Sequence, residues 1–282
     1  MEFLTDLLTE TKIPVGRTAR QVFDWLRTHA APIFDVIAGA LDWLIYGFQS
    51  LLEVPHPLVF TAGAVLLAWV MQRRVSVCVL VGAGLLFILN QDYWDETMQS
   101  LTLVLSAGVV CMAVGVPIGI AVAHRPRLYS WIKPVLDLMQ TLPSFVYLIP
   151  AIVFFGIGMV PGLIATVIFV LPAPIRQTHL GITSTPTELI EAGRAFGATP
   201  RQLLWKVELP SARPQIMAGL NQTIMLSLSM VVIAALVGAS GLGVPVVRAL
   251  NTVNTALGFE SGLVIVVVAI VLDRMLSIRR PK

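Results

Sequence analysis

Few residues of this chain have the type and spacing that chemistry requires. Cys78 and Cys111 stand singly in apolar stretches without C-x-x-C spacing, which suits small packing residues better than ligands or disulfide partners. His29, His56, His124 and His179 are scattered, and no two have the i, i+4 spacing that puts paired imidazoles on one helix face. No metal site is expected. There is no G-x-x-x-x-G-K-[ST] phosphate loop, no G-x-S-x-G elbow and no pair of carboxylates in a plausible cleft, so the chain is expected to be no enzyme. The most structured polar stretch is ELIEAGRAFGATPRQLLWKVELP, Glu188 to Pro210. Its chemistry is that of contact rather than catalysis.

The elements that carry this stretch are membrane spans. The 282 residues are 56% hydrophobic and 12% charged, about half the charge of an ordinary soluble domain. The mean hydropathy is +0.84. Several runs approach or exceed the roughly 20 apolar residues that cross a ~30 Å hydrocarbon core. Backbone groups in lipid must be satisfied internally, so an all-α polytopic bundle is expected. Seven spans are read, at Leu58–Gln72, Val75–Asn90, Gln99–Ala123, Pro134–Gly158, Pro161–Ile175, Pro214–Gly238 and Phe259–Leu276. With Arg73 and Arg74 inside, alternation puts His124–Lys133, Arg176–Arg213 and the terminal RRPK inside as well. Of 19 Lys and Arg residues, 13 then lie in cytoplasmic segments and Arg274 at the cytoplasmic end of the last span, only Arg248 lies outside, and four are N-terminal. The polar stretch therefore faces the cytoplasm.

Residues 1–55 form a separate N-terminal region without the pattern of a signal peptide. Asp35, Asp42 and Gln49 recur every seven residues in Ile33–Leu52, a stripe that suits an amphipathic helix on the bilayer surface. An eighth span with the stripe against its neighbours is the alternative. Two peripheral spans occupy 56–98, then a core domain occupies 99–276 with its cytoplasmic loop at 176–213, and a basic cytoplasmic tail ends the chain at 277–282.

Within the loop, Thr185-Pro186-Thr187-Glu188 reads as a capping box, and Thr199-Pro200-Arg201-Gln202 repeats it. Gly197 suits a left-handed turn between two short helices, and Pro210 is expected to end the second. Leu189, Ala192, Gly193 and Phe196 fall on one face of the first. Three readings compete: a loop that packs on the bundle, a DNA-reading helix-turn-helix, and a docking element for a cytoplasmic partner. The tether between two spans and the lack of a basic run along either helix argue against nucleic acid.

The stretch EAGRAFGATPRQLLWKVELP resembles the EAA loop of the membrane subunits of ABC importers, with Glu191, Ala192, Gly193, Gly197, Val207, Leu209 and Pro210 at the matching positions. Gly193 for the second Ala and Val207 for Ile are the departures. The resemblance implies a type I-like ABC permease fold, with this loop, Phe196 included, coupled to a separate ATPase. From Gln99 to Arg274 the chain looks like the permease subunits of glycine betaine, choline and proline betaine importers. What this implies is a multi-pass protein of the cell inner membrane, a second permease copy, two ATPase subunits that carry ATP-Mg, and a periplasmic or extracellular substrate-binding protein. No cofactor is expected on this chain.

Candidates to line the pathway or its gate are Asn221, Gln222 and Thr223 in one span and Gln140, Ser144, Phe145 and Tyr147 around Pro143 in another. Interhelical hydrogen bonding is their alternative role. Asp137 is expected to pair with Lys133 one turn earlier. Asp273 and Arg274 read as interface anchors. Arg248 is a candidate for docking the binding protein, with a local salt bridge to Glu260 as the alternative. The reading from another functional class is a secondary transporter or channel acting alone.

Overall fold

The computed structural model describes residues 14–276. The expected basic tail at 277–282 and the first 13 residues of the N-terminal region lie outside that range. Between residues 14 and 276 the chain folds into α-helices and one π-helical turn, with no strand among the described residues. In chain order the helices are α1 (Val15–His29), α2 (Ala31–Glu53), α3 (Pro57–Gln72), α4 (Val75–Asn90), α5 (Trp94–Ala123), α6 (Pro126–Thr141) and α7 (Phe145–Phe155). After these come α8 (Met159–Val170), α9 (Pro172–Thr183), α10 (Thr187–Ala195), α11 (Pro200–Leu203), α12 (Leu209–Ala235), α13 (Gly243–Thr252) and α14 (Thr255–Leu276).

Among the described residues, length and composition qualify five stretches to cross a membrane: α2, α5, α8 with α9, α11 through α12, and α14. A bent pair, α6 with α7, makes a sixth. Helices α3 and α4 are apolar but 16 residues each, about 24 Å at 1.5 Å per residue. Contacts between their ends agree with the alternation of spans. Gln72 Nε2 donates to the Met275 carbonyl at 2.8 Å, joining two ends expected inside. At the opposite end the Gly158 amide donates to the Val237 carbonyl at 2.9 Å, and the Leu242 amide to Ser100 Oγ at 2.8 Å.

Helix α2 is long and apolar enough to be the eighth span. Ile45 and Leu52 are buried on one side of it, and Phe34 stacks on Phe154 with centroids 4.5 Å apart. Asp35 and Asp42 are exposed, while Gln49 donates to Glu53 at 3.0 Å.

The centre of the bundle is held by small residues. A Cβ built on Gly119 would lie 2.6 Å from Thr178 Cβ and 2.8 Å from the Ile175 carbonyl oxygen. One on Gly115 would lie 2.7 Å from Pro174 Cγ. Gly181 and Gly219 do the same between α9 and α12, where added atoms would meet Ala212 Cβ at 2.9 Å and Gln177 Cβ at 3.0 Å. Helices α5, α9 and α12 therefore approach closely over glycines, the small-residue contact that drives helix association where lipid removes the hydrophobic incentive.

Two sequence expectations change here. Pro134–Gly158 is not one straight span: α6 and α7 meet at 96° across Leu142–Ser144. Pro143 supplies no amide, and the residue before it, Leu142, is extended at φ −65° and ψ 135°, as the proline ring requires. The span read as Pro161–Ile175 begins at Met159 and runs on through α9 to Thr183, because Leu171 stays helical and Pro172 sits where a helix tolerates it.

Candidate coupling site

The polar loop begins one residue later than its sequence suggests. Pro186 takes an extended ψ of 132° and becomes the N-cap of α10, with no side-chain cap bond. The Thr185 hydroxyl is buried and finds no partner, so the first expected capping box does not form. The second does: Thr199 Oγ1 accepts from the Gln202 amide, and the Thr199 amide donates to Gln202 Oε1 at 2.9 Å. Such a cap contributes about 1 kcal/mol.

Between the two helices the chain turns on Gly197, with φ at +75°. The Gly197 amide donates to the Arg194 carbonyl at 2.9 Å and the Ala198 amide to the Gly193 carbonyl at 3.0 Å. This is the paired 5→2 and 6→1 closure that needs a residue in the left-handed region. Helix α10 buries none of its residues. Phe196, at the tip, is 91% exposed, and Leu189 is half exposed. Glu191 and Ala192 are also exposed.

The inner side of α10 rests on the second helix of the loop. A Cβ on Gly193 would lie 2.9 Å from Leu203 Cδ1 and 3.8 Å from Val207 Cγ2. Leu203 is buried, and after it the helix widens into a π turn over Leu204–Glu208. Pro210 therefore does not end the second helix but sits in the first turn of α12. The Leu209 amide reaches back five residues to the Leu204 carbonyl, and the wide turn accommodates a proline that lacks its own amide.

Glu208 in this turn is buried, and its Oε2 lies 2.8 Å from His124 Nε2. Sequence reasoning passed over both residues, since 84 positions separate them. Asp137 also finds a distant partner. Its Oδ1 accepts from Arg176 at 2.6 Å, and the same guanidinium donates to Gln140 Oε1 at 2.9 Å. No pair with Lys133 forms, because Arg176 at the start of α9 reaches the carboxylate first.

Of the pathway candidates, Tyr147 is buried and its hydroxyl faces the Met139 and Leu142 carbonyls at 2.9 and 2.7 Å, stapling the α6–α7 bend. Phe145 is 55% exposed and Ser144 half-buried beside it. Thr223 is fully buried and donates to the Gly219 carbonyl. Asn221 donates to Asp273 at 3.1 Å, which ties α12 to α14, and Gln222 accepts from Gln177 at 3.3 Å. Gln140 and Gln222 thus reach α9 at neighbouring residues, Arg176 and Gln177, while Asn221 reaches α14.

At the opposite end Arg248 shares a cleft with Glu96, Gln99 and Ser240 and makes no salt bridge with Glu260 among the described residues. Tyr93 nearby has its phenol pushed above the usual range by burial and by the charges of Glu260 and Glu96. No cluster of His, Cys, Asp and Glu among the described residues could hold a metal ion.

An all-helical bundle with a broken span and an exposed helical loop is the architecture of a type I ABC importer permease. The inward-facing MetNI methionine ABC transporter matches it with a TM-score of 0.57, over 62% of this chain and 88% of that one, at 24% identity, a likeness of fold. Residues 115–279 match the family described as binding-protein-dependent transport system inner membrane component, and the chain belongs to that family. Among its relatives, the glycine betaine/proline betaine transport system permease protein ProW of Escherichia coli is 44% identical over 96% of this chain and 77% of its own length. The glycine betaine/carnitine transport permease protein GbuB of Listeria monocytogenes is 45% identical over 93% and 94%. The glycine betaine transport system permease protein OpuAB of Bacillus subtilis is 46% identical over 94% and 93%. The chain is a multi-pass membrane permease subunit of an ABC importer.

Proposed function

We propose that this permease carries glycine betaine and related quaternary ammonium solutes across the inner membrane, and that a separate ATPase drives it through α10. The observation that carries the coupling reading is a helix with no buried residue, tipped by the nearly bare ring of Phe196 and closed by the Gly197 turn. A large apolar side chain held out in water by a capped, preorganised loop costs free energy unless a partner covers it. The names of the relatives, each a betaine transporter permease, support the substrate class.

In this reading the chain pairs with a second copy, and two ATPase subunits holding ATP-Mg seat the two α10 helices. Closure of the ATPases pushes on Glu191–Gly197, and the push passes through Leu203 and Val207 to the bundle. A binding protein delivers substrate at the opposite end, where Arg248 is exposed to meet it. A quaternary ammonium ion has no donor at its charged centre, so aromatic faces on that binding protein select it, each worth about 0.5–2 kcal/mol.

The test is uptake of labelled glycine betaine into proteoliposomes that hold the permease with its ATPase and binding protein. ATP-dependent uptake that is lost with Phe196→Asp, while the variant remains folded and inserted, is expected. Uptake that persists without the ATPase would establish a secondary transporter instead.

A further inference from the structure

The coupling reading leaves open how a push on α10 reaches the spans, and the most deeply held charge in the loop is not part of the recognised motif. Glu208 lies in the π turn between α11 and α12, with a side chain only 9% exposed. Burying a carboxylate costs several kcal/mol unless a partner meets it, and an apolar residue would fill the same space at lower cost. The partner is His124, the residue that closes α5, with its Nε2 2.8 Å away. The other ring nitrogen of His124 lies 2.9 Å from the Ile120 carbonyl, so the imidazole is fixed from both sides. One turn before it, Gly119 sits against Ile175 and Thr178 of α9.

We infer that the His124–Glu208 pair is the joint that transmits movement of the coupling loop to α5, with both residues acting as positioning residues for transport. The contacts run without a gap. Gly193 of α10 meets Leu203 and Val207, Glu208 is next in the same turn, His124 receives it, and the Gly119 seam passes the displacement to α9. A π turn is an irregular place in a helix, of a kind frequent at functional sites. A strong polar bond fastened at that place makes the loop and the end of α5 move together rather than flex apart. This inference rests on the coupling reading and names the residues through which it works.

The experiment uses the permease assembled with its ATPase and binding protein in proteoliposomes, and reads glycine betaine uptake and ATP hydrolysis in the same vesicles. His124→Ala and Glu208→Ala are each expected to lower uptake per ATP hydrolysed by about fivefold or more, with hydrolysis continuing; coupled pairs show interaction energies of this order. The double variant is expected to be no worse than either single one, and His124→Gln with Glu208→Gln, which can bond amide to amide, to recover most of the loss. Unchanged uptake per ATP in the single variants, losses that multiply in the double, or a parallel fall of uptake, hydrolysis and melting temperature without rescue would overturn the joint. Failure of the coupling reading itself has a different sign, wild-type uptake in vesicles that lack the ATPase.

Discussion

Gly197 allows a quantitative test of what the proposed coupling role demands of the loop. Its φ of +75° lies where an L side chain costs about 1–2 kcal/mol. A Cβ there would meet nothing within 4 Å, so the permease itself adds no steric penalty. Both bonds that close the turn are made by main-chain amides and survive substitution. Ala should therefore cost about 1–2 kcal/mol, a five- to thirtyfold loss of the closed turn relative to open forms. Asn, which tolerates the left-handed region, should cost less, and the β-branched Val more. Uptake in proteoliposomes at limiting ATPase should then rank Gly, Asn, Ala, Val, with the permease equally folded in all four. If Asn fails as completely as Val, backbone conformation is not the requirement. The space beside Gly197 would then be occupied by the partner, and the argument from φ would be wrong.

Three further outcomes are set by the packing. Gly119→Ala forces its methyl onto the Ile175 carbonyl and Thr178, an overpacking worth about 1–3 kcal/mol, whereas Gly193→Ala meets only the movable tip of Leu203 and should leave thermal unfolding in detergent nearly unchanged. Tyr147→Phe removes the hydroxyl that faces two carbonyls across the α6–α7 bend and should cost about 1 kcal/mol, seen as a melting midpoint lower by roughly 2–4 °C. An unchanged midpoint would mean that the bend is held without it.

The spans and the Gly197 turn of the polar loop were legible because both are written locally. Hydrocarbon thickness sets a length that apolar runs must meet, and Thr199-Pro200-Arg201-Gln202 and Gly197 each specify a turn within four residues. The features that escaped depend on distance or on register. Leu142–Ser144 interrupts no apolar run, so hydropathy carries no mark of the 96° bend; Pro143 marks the place where the span can bend, and only the angle is unwritten. Pro210 signals a stop to anyone who assumes an α-helix, and the π turn that accommodates it has no composition of its own. Asp137 had Lys133 one turn away but found Arg176, and Glu208 found His124, because three-dimensional packing rather than sequence spacing chose the partners. The glycine seam did leave a trace, Gly115-x-x-x-Gly119, a pattern that sequence reasoning is able to use.

That seam divides the permease mechanically. Where a glycine takes a neighbour's side chain with no room for a Cβ, there is little slack, so movement of one of α5, α9 and α12 is expected to carry the others with it. Helices α6 and α7 join the others differently, through Leu136 against Val122 and Ile175, Leu148 against Ala165 and Val237, and the bonds of the Arg176 guanidinium to Asp137 and Gln140. In the proposed mechanism a push from the loop therefore moves α5, α9 and α12 as one body, and the bent pair follows through its own contacts.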